Sequence, residues 1–206
     1  MKSLKPQLFY IHGGMTFVSD DDYRNFLATR PISIGKKVRW SDQYLDDQLG
    51  EQCQIIRPRM PLQDNATYRD WKIHFERHFD QLTDNLILVG MSLGGIFLAQ
   101  YLAEETFPKK IMAVYLVCPP FDDTVTGEDL ANGFLLSEDL SKIQQNCSNL
   151  TLFFSEDDDV VPLSHAKKYE DTLPGAKIII FPSKNGHFQV PKFPEIVKLI
   201  KNDLDR

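Results

Sequence analysis

The stretch Asn85-Leu-Ile-Leu-Val-Gly-Met-Ser-Leu-Gly-Gly-Ile-Phe-Leu-Ala-Gln-Tyr-Leu102 decides how the rest of the chain is read. Leu86 to Val89 is a short uncharged run of branched residues, the pattern of a buried strand. From Leu93 to Glu105, Ile96, Phe97, Gln100 and Tyr101 recur at helical spacing. Between the two halves lies Gly90-Met91-Ser92-Leu93-Gly94, a G-x-S-x-G sequence in a strand–turn–helix context. This is the pattern of a nucleophile elbow, a sharp turn that strains the serine backbone and exposes its hydroxyl above the strand end. Gly90 and Gly94 are expected because a Cβ at either place would collide with the neighbouring strand or helix. The uncharged run from Leu86 to Ala103 has the length of a membrane span. Its glycines, Ser92 and Gln100 interrupt it and no basic cluster flanks it, so strand plus helix is the better reading.

Working outward, strands alternate with helices. Gln7 to Ile11 is a first strand, ending in His12-Gly13-Gly14. A helix follows from the Asp20–Asp22 cluster, capped by Ser19 or Asp20. Ser33 to Val38 carries no clear signal. Trp40 to Leu49 reads as a helix closed by Gly50, Gln54 to Ile56 as a strand, and Ala66 to Phe79 as an amphipathic helix facing inward through Trp71, Phe75 and Phe79. Beyond the elbow come a strand at Lys110 to Val117, a strand at Thr151 to Phe154, a helix at Ser164 to Leu173, a strand at Lys177 to Phe181 and a helix at Pro194 to Leu204. Residues 118–149 form the longest connection, with weak helical signals only. The alternation predicts an α/β fold: a mainly parallel sheet of about six strands with helices on both faces, in one domain spanning 1–206.

Bulk composition narrows the function. The 206 residues are 42% hydrophobic and 25% charged, ordinary for a globular domain. A net charge of −6 argues against nucleic acid and anionic membranes as partners. Cys53, Cys118 and Cys147 are odd in number and scattered, which suggests neither a disulfide framework nor a zinc site. Lys2 and Lys5 precede an apolar run too short for a signal peptide, so the expected location is the cytoplasm.

Ligands of parallel sheets bind beyond the carboxyl ends of the strands, and His12, Ser92, Asp158 and His187 all follow predicted strands. A serine nucleophile needs a base that is itself held by a third group. His187, in Asn185-Gly186-His187-Phe188, can supply the base, and Asp157, Asp158 and Asp159 are available as the acid. The N–H groups of Gly14 and Leu93 are the expected oxyanion-hole donors. His74 and His78, i and i+4 on a helix, read as a solvated pair and not a metal site. His12 and His165 read as structural, and Cys118 lacks a separate base.

The sequence resembles the α/β-hydrolase family, in particular its small serine hydrolases of the retinoblastoma-binding protein 9 and YdeN group. The resemblance rests on His12-Gly13-Gly14, Gly90 to Gly94, Asp158-Asp-Val-Val-Pro162 and Gly186-His187-Phe188, and it covers almost the whole chain. It implies Ser92 as nucleophile, Asp158 as acid and His187 as base, with Asp157 and Asp159 turned to solvent. Thr16 stands where the oxyanion loop of such proteins carries a second glycine, and residues 15–50 are expanded. The expected activity is hydrolysis of a carboxyl ester, thioester or amide of a small acyl substrate, without cofactor or metal. Residues 118–149 would form a small lid, with Phe121, Phe134, Leu135 and Leu136 lining the pocket. The alternatives are a non-catalytic interaction scaffold and a C–C bond hydrolase on the same triad. Monomer and dimer are both open.

Overall fold

A computed structural model describes residues 5–206; Lys2 lies outside them. Six strands form one sheet: β1 (Gln7–Ile11), β2 (Gln54–Ile56), β3 (Leu86–Met91), β4 (Ile111–Val117), β5 (Leu150–Ser155) and β6 (Lys177–Phe181). Their order is β2-β1-β3-β4-β5-β6, and every pairing is parallel. Alternate residues of a strand point to opposite faces, and this sheet is covered on both. Leu86 and Leu88 enter one core with Trp71, Phe75 and Phe97. Ile87 and Val89 enter the other with Trp40, Phe193 and Ile196. A fully covered parallel sheet explains why β3 reads as an unbroken apolar run.

The helices are α1 (Asp20–Thr29), α2 (Leu45–Leu49), α3 (Tyr68–Glu76), α4 (Leu93–Glu104), α5 (Ser141–Asn146), α6 (Ser164–Thr172) and α7 (Pro194–Leu204). Ser19 caps α1, its hydroxyl accepting from the Asp22 N–H at 3.1 Å. The helix expected over Trp40 to Leu49 is broken. Trp40–Tyr44 is a π-type turn kinked at Asp42 (φ −93°, ψ −122°), and only α2 is regular. The helix expected over Ala66 to Phe79 is shorter because Thr67 caps it, accepting from the Asp70 N–H at 3.1 Å. A separate 3₁₀ turn, Phe79–Gln81, follows it. Among the described residues no helix is long and apolar enough to cross a membrane.

The sheet order changes direction between β1 and β3, since β1 leads to β2 on one side while β3 begins the run to the other. Open parallel sheets place ligands at such a reversal, beyond the strand ends. There the loop after β1 meets the turn after β3. At that turn α4 packs so closely that a Cβ on Gly94 would stand 2.4 Å from the Ile11 carbonyl oxygen, and one on Gly90 would stand 2.4 Å from the Gly94 oxygen. Both glycines are required by backbone contact, as the elbow pattern predicts.

Candidate active site

Ser92 is the single residue between β3 and α4. Its backbone lies at φ 53°, ψ −120°, a conformation that costs a non-glycine residue on the order of 1–3 kcal/mol. The turn is held by the Ser92 N–H, which donates to the Val117 carbonyl at 2.8 Å, and by its carbonyl, which accepts from Gly95 and Ile96. The elbow is therefore tied to β4 on one side and to its own helix on the other.

The loops after β5 and β6 bring Asp158 and His187 together. Both Asp158 carboxylate oxygens stand 2.9 Å from His187 Nδ1. Asp158 Oδ1 also accepts from the Val160 and Val161 N–H groups, each at 2.9 Å, so the loop's own amides fix the carboxylate. The Asp158 side chain is only 1% exposed and that of His187 is 13% exposed. His187 sits in a left-handed loop, between Gly186 (φ 69°) and Phe188 (φ 52°). The buried Phe188 ring packs against Phe181 and Phe193 and anchors the loop.

Asp157 turns to the surface, as expected, but it is not free. It accepts from the Ser155 and Ser183 hydroxyls at 2.5 Å each and from the Lys184 and Gly186 N–H groups at 2.9 and 3.1 Å. Those donors hold its carboxyl well below the usual carboxylate range. Asp157 thus clamps the loop that carries His187 to the loop that carries Asp158. Asp159 is exposed.

Burial opposes protonation of His187, while the neighbouring Cys118 sulfur and the hydrogen-bonded Asp158 carboxylate favour it; the balance lies above the ordinary histidine value. Burial pushes the Cys118 thiol up. Nε2 of His187 faces Cys118 Sγ at 3.7 Å. Among the described residues no hydrogen bond joins Nε2 to the Ser92 hydroxyl. Such contacts are commonly long outside the Michaelis complex.

Gly14 and Leu93 line one cleft with Ser92. The Gly13 carbonyl is drawn back by His12 Nδ1–H at 2.6 Å and Gln63 Nε2 at 3.2 Å. In a trans peptide the next N–H points the opposite way, so these contacts turn the Gly14 N–H away from that anchor. His12 is a brace: burial lowers its pKa, and its Nε2 accepts from the Met60 N–H at 3.0 Å.

The rest of the cleft wall comes from the 118–149 segment and the β5 loop: Val125, Glu128, Leu130, Val160 and Val161. The cavity measures about 10 Å³, room for roughly one water molecule. Burial raises the pKa of Glu128 above the ordinary glutamate range. The residues expected to line the pocket lie elsewhere. Phe134 is in the core, with Tyr68 and Trp71 edge-on at 6.0 and 5.4 Å. Leu135 is 69% exposed, and its N–H donates to Gln100 Oε1 at 2.9 Å. Phe121 packs against Tyr169 at 5.0 Å, and its N–H donates to His165 Nδ1 at 2.8 Å. Leu136 is half-buried against the same core as Phe134.

Thr16 explains the missing second glycine. Its hydroxyl donates to the Asp129 carbonyl at 2.6 Å and accepts from the Ala131 N–H at 2.8 Å. This side chain of the loop after β1 thereby latches the 118–149 segment over the cleft, a role glycine could not fill. His74 and His78 stack edge-on with ring centres 4.9 Å apart, and His78 Nδ1 bonds the His74 carbonyl.

The family described as serine hydrolase matches residues 37–201. The rat (Rattus norvegicus) serine hydrolase RBBP9 is 29% identical over 168 residues, covering 80% of this chain and 84% of that protein. The ydeN gene product of B. subtilis superposes with a TM-score of 0.73 at 18% identity, over 98% of this chain and 100% of that one. A meta-cleavage product hydrolase from Pseudomonas fluorescens IP01 gives a TM-score of 0.66 at 15% identity, over 98% and 91% of the two chains. The two structural likenesses identify the arrangement of sheet and helices as the α/β-hydrolase fold.

Proposed function

The chain belongs to the serine hydrolase family, and from that premise we propose that it hydrolyses a carboxyl ester, thioester or amide of a small acyl compound on a Ser92–His187–Asp158 triad. One observation carries the reading. A strained serine elbow stands at the carboxyl end of β3, and beyond the ends of β5 and β6 of the same sheet a histidine Nδ1 is held at 2.9 Å by a buried carboxylate. Asp158 accepts a hydrogen bond from the Nδ1 N–H, which leaves the lone pair on Nε2. Nε2 turns from Cys118 to the Ser92 hydroxyl and takes its proton as Oγ attacks the carbonyl carbon. The Asp158 carboxylate stabilises the imidazolium that forms. Gly14 and Leu93 N–H groups donate to the oxyanion, a contribution of about 3–4 kcal/mol per donor in comparable sites. The imidazolium protonates the leaving group, and water then releases the acyl group from Ser92 by the same steps in reverse order.

The confined cavity favours short acyl groups. Its wall of Val125, Leu130, Val160 and Val161 is apolar, and Thr16 holds the segment in place. A series of p-nitrophenyl esters tests this. Acetate and butyrate should give the highest kcat/KM, with turnover falling for longer chains. A mass increase equal to the acyl group should appear on the Ser92 peptide after rapid quenching. Turnover that climbs steadily to octanoate, or an acyl group found on another residue, would contradict the proposal. No step calls for a metal, so the rate should be the same with and without a chelator.

A further inference from the structure

Cys118 is a second strained residue beside the elbow. It follows β4 directly, has φ 41°, and is fully buried. Non-glycine residues hold such a backbone only where their surroundings impose it. The conformation aims Sγ at His187 Nε2, 3.7 Å away. The ligating atoms of Cys118, Asp158 and His187 all lie within 4.8 Å of one another.

We propose that Cys118 and His187 form an inhibitory site for a soft divalent cation, zinc in particular. The proposal rests on His187 being the base of the hydrolytic reaction. With Zn–S at about 2.3 Å and Zn–N at about 2.0–2.1 Å, two ligands of a tetrahedral zinc stand roughly 3.6 Å apart. The observed separation of 3.7 Å meets that requirement. Asp158 on Nδ1 completes the arrangement, because a histidine that binds metal commonly donates its other N–H to a carboxylate, which fixes the ring and raises its basicity. Thiolate and imidazole together select zinc over magnesium or calcium. On binding, the Cys118 thiol loses its proton to solvent, a Zn–S bond replaces the S–H bond, and the Nε2 lone pair becomes a metal ligand. Nothing is oxidised or reduced. The remaining coordination positions fall to water or the Ser92 oxygen. His187 can then no longer accept the serine proton, and hydrolysis stops. Among the described residues Cys53 and Cys147 belong to no such cluster; the Cys147 thiol donates to the Asn149 carbonyl.

Zinc chloride titrated into the full chain should stop ester hydrolysis, and EDTA should restore it. Magnesium and calcium should have no effect. For Cys118→Ala and Cys118→Ser, each measured against its own metal-free rate, the half-inhibiting zinc concentration should rise at least about tenfold. Equal zinc sensitivity in the wild type and both variants would overturn the proposal. A readout independent of hydrolysis uses Ser92→Ala with cobalt(II). A thiolate-to-cobalt absorption band should appear in the near ultraviolet and vanish in the Ser92→Ala/Cys118→Ser double variant. No band in Ser92→Ala overturns the site whatever the protein hydrolyses. A Cys118-dependent band in a protein whose wild type hydrolyses no ester would sink the acyl-transfer reading and leave the metal site standing.

Discussion

The turns after β3 and β5 and the segment 118–149 line the same cleft, and the turn after β6 joins them through the His187–Asp158 contact, but different forces shape them. Each turn is fixed by backbone and core contacts at its strand end. Ser92 is tied to Val117 and to the first turn of α4, Asp158 to the amides of Val160 and Val161, and His187 is pinned through Phe188. The segment has one short helix, α5, and side chains of other elements hold it at several further points. Gln100 of α4 holds Gly133 and Leu135, Thr16 holds Asp129 and Ala131, and buried His165 holds Phe121. Strand-end turns built this way keep reacting groups in register, as positional catalysis requires. A cover held by a handful of side-chain bonds can differ between relatives without disturbing that register.

The contrast can be broken most sharply at the acid. Asp158→Asn should lower kcat by a factor on the order of 10²–10⁴, because the amide stabilises neither the required tautomer nor the imidazolium. The pH profile supplies an independent check. The base works only when neutral, and its pKa is raised above 6.5 in the folded protein, so activity should fall as pH drops through a midpoint above 6.5. With Asn at 158 the carboxylate's share of the upward push is gone, and that midpoint should move to lower pH. A midpoint that does not move would remove Asp158 from contact with the base.

Phe134→Ala tests the other side of the comparison. It should cost about 3–5 kcal/mol of stability in urea unfolding, the usual loss for a buried phenylalanine, with acyl-chain preference unchanged in the folded fraction. A changed preference would return Phe134 to the substrate pocket. Asp157→Asn weakens the clamp between the two loops without touching the reacting atoms. It should reduce kcat by about tenfold through a misplaced His187, while Asp159→Asn changes it less than that. The smallest effect is expected at the latch. Thr16→Val removes both hydrogen bonds to the 118–149 segment and should raise the relative rate on longer acyl esters severalfold, with acetate turnover little altered.

What could be read from the residues divides along the same line. The β3 run, the elbow glycines and the strand-end positions of Ser92, Asp158 and His187 were legible because a buried parallel strand and a strained turn leave local marks. Asp158 was separable from its neighbours only through the resemblance, and the bonds to Val160 and Val161 now supply the physical reason. The bracket around Asp157 depends on Ser183, 26 residues away, and no local pattern announces it. Phe134 and Leu135 are adjacent apolar residues, yet one is buried in the core and the other faces solvent. Their fates are decided by Gln100, on a different element. Thr16 did leave a trace, as a departure from the glycine pattern of its loop. The trace marked the place, and the hydrogen bonds to Asp129 and Ala131 give the reason.

The central claim is that Ser92 is the activated nucleophile, and covalent labelling tests it most directly. A fluorophosphonate added to the native protein should modify one residue, Ser92, with labelling slowed in Asp158→Asn and abolished in a folded Ser92→Ala variant. Native, folded protein that stays unlabelled, or a label that persists in Ser92→Ala, would contradict the account.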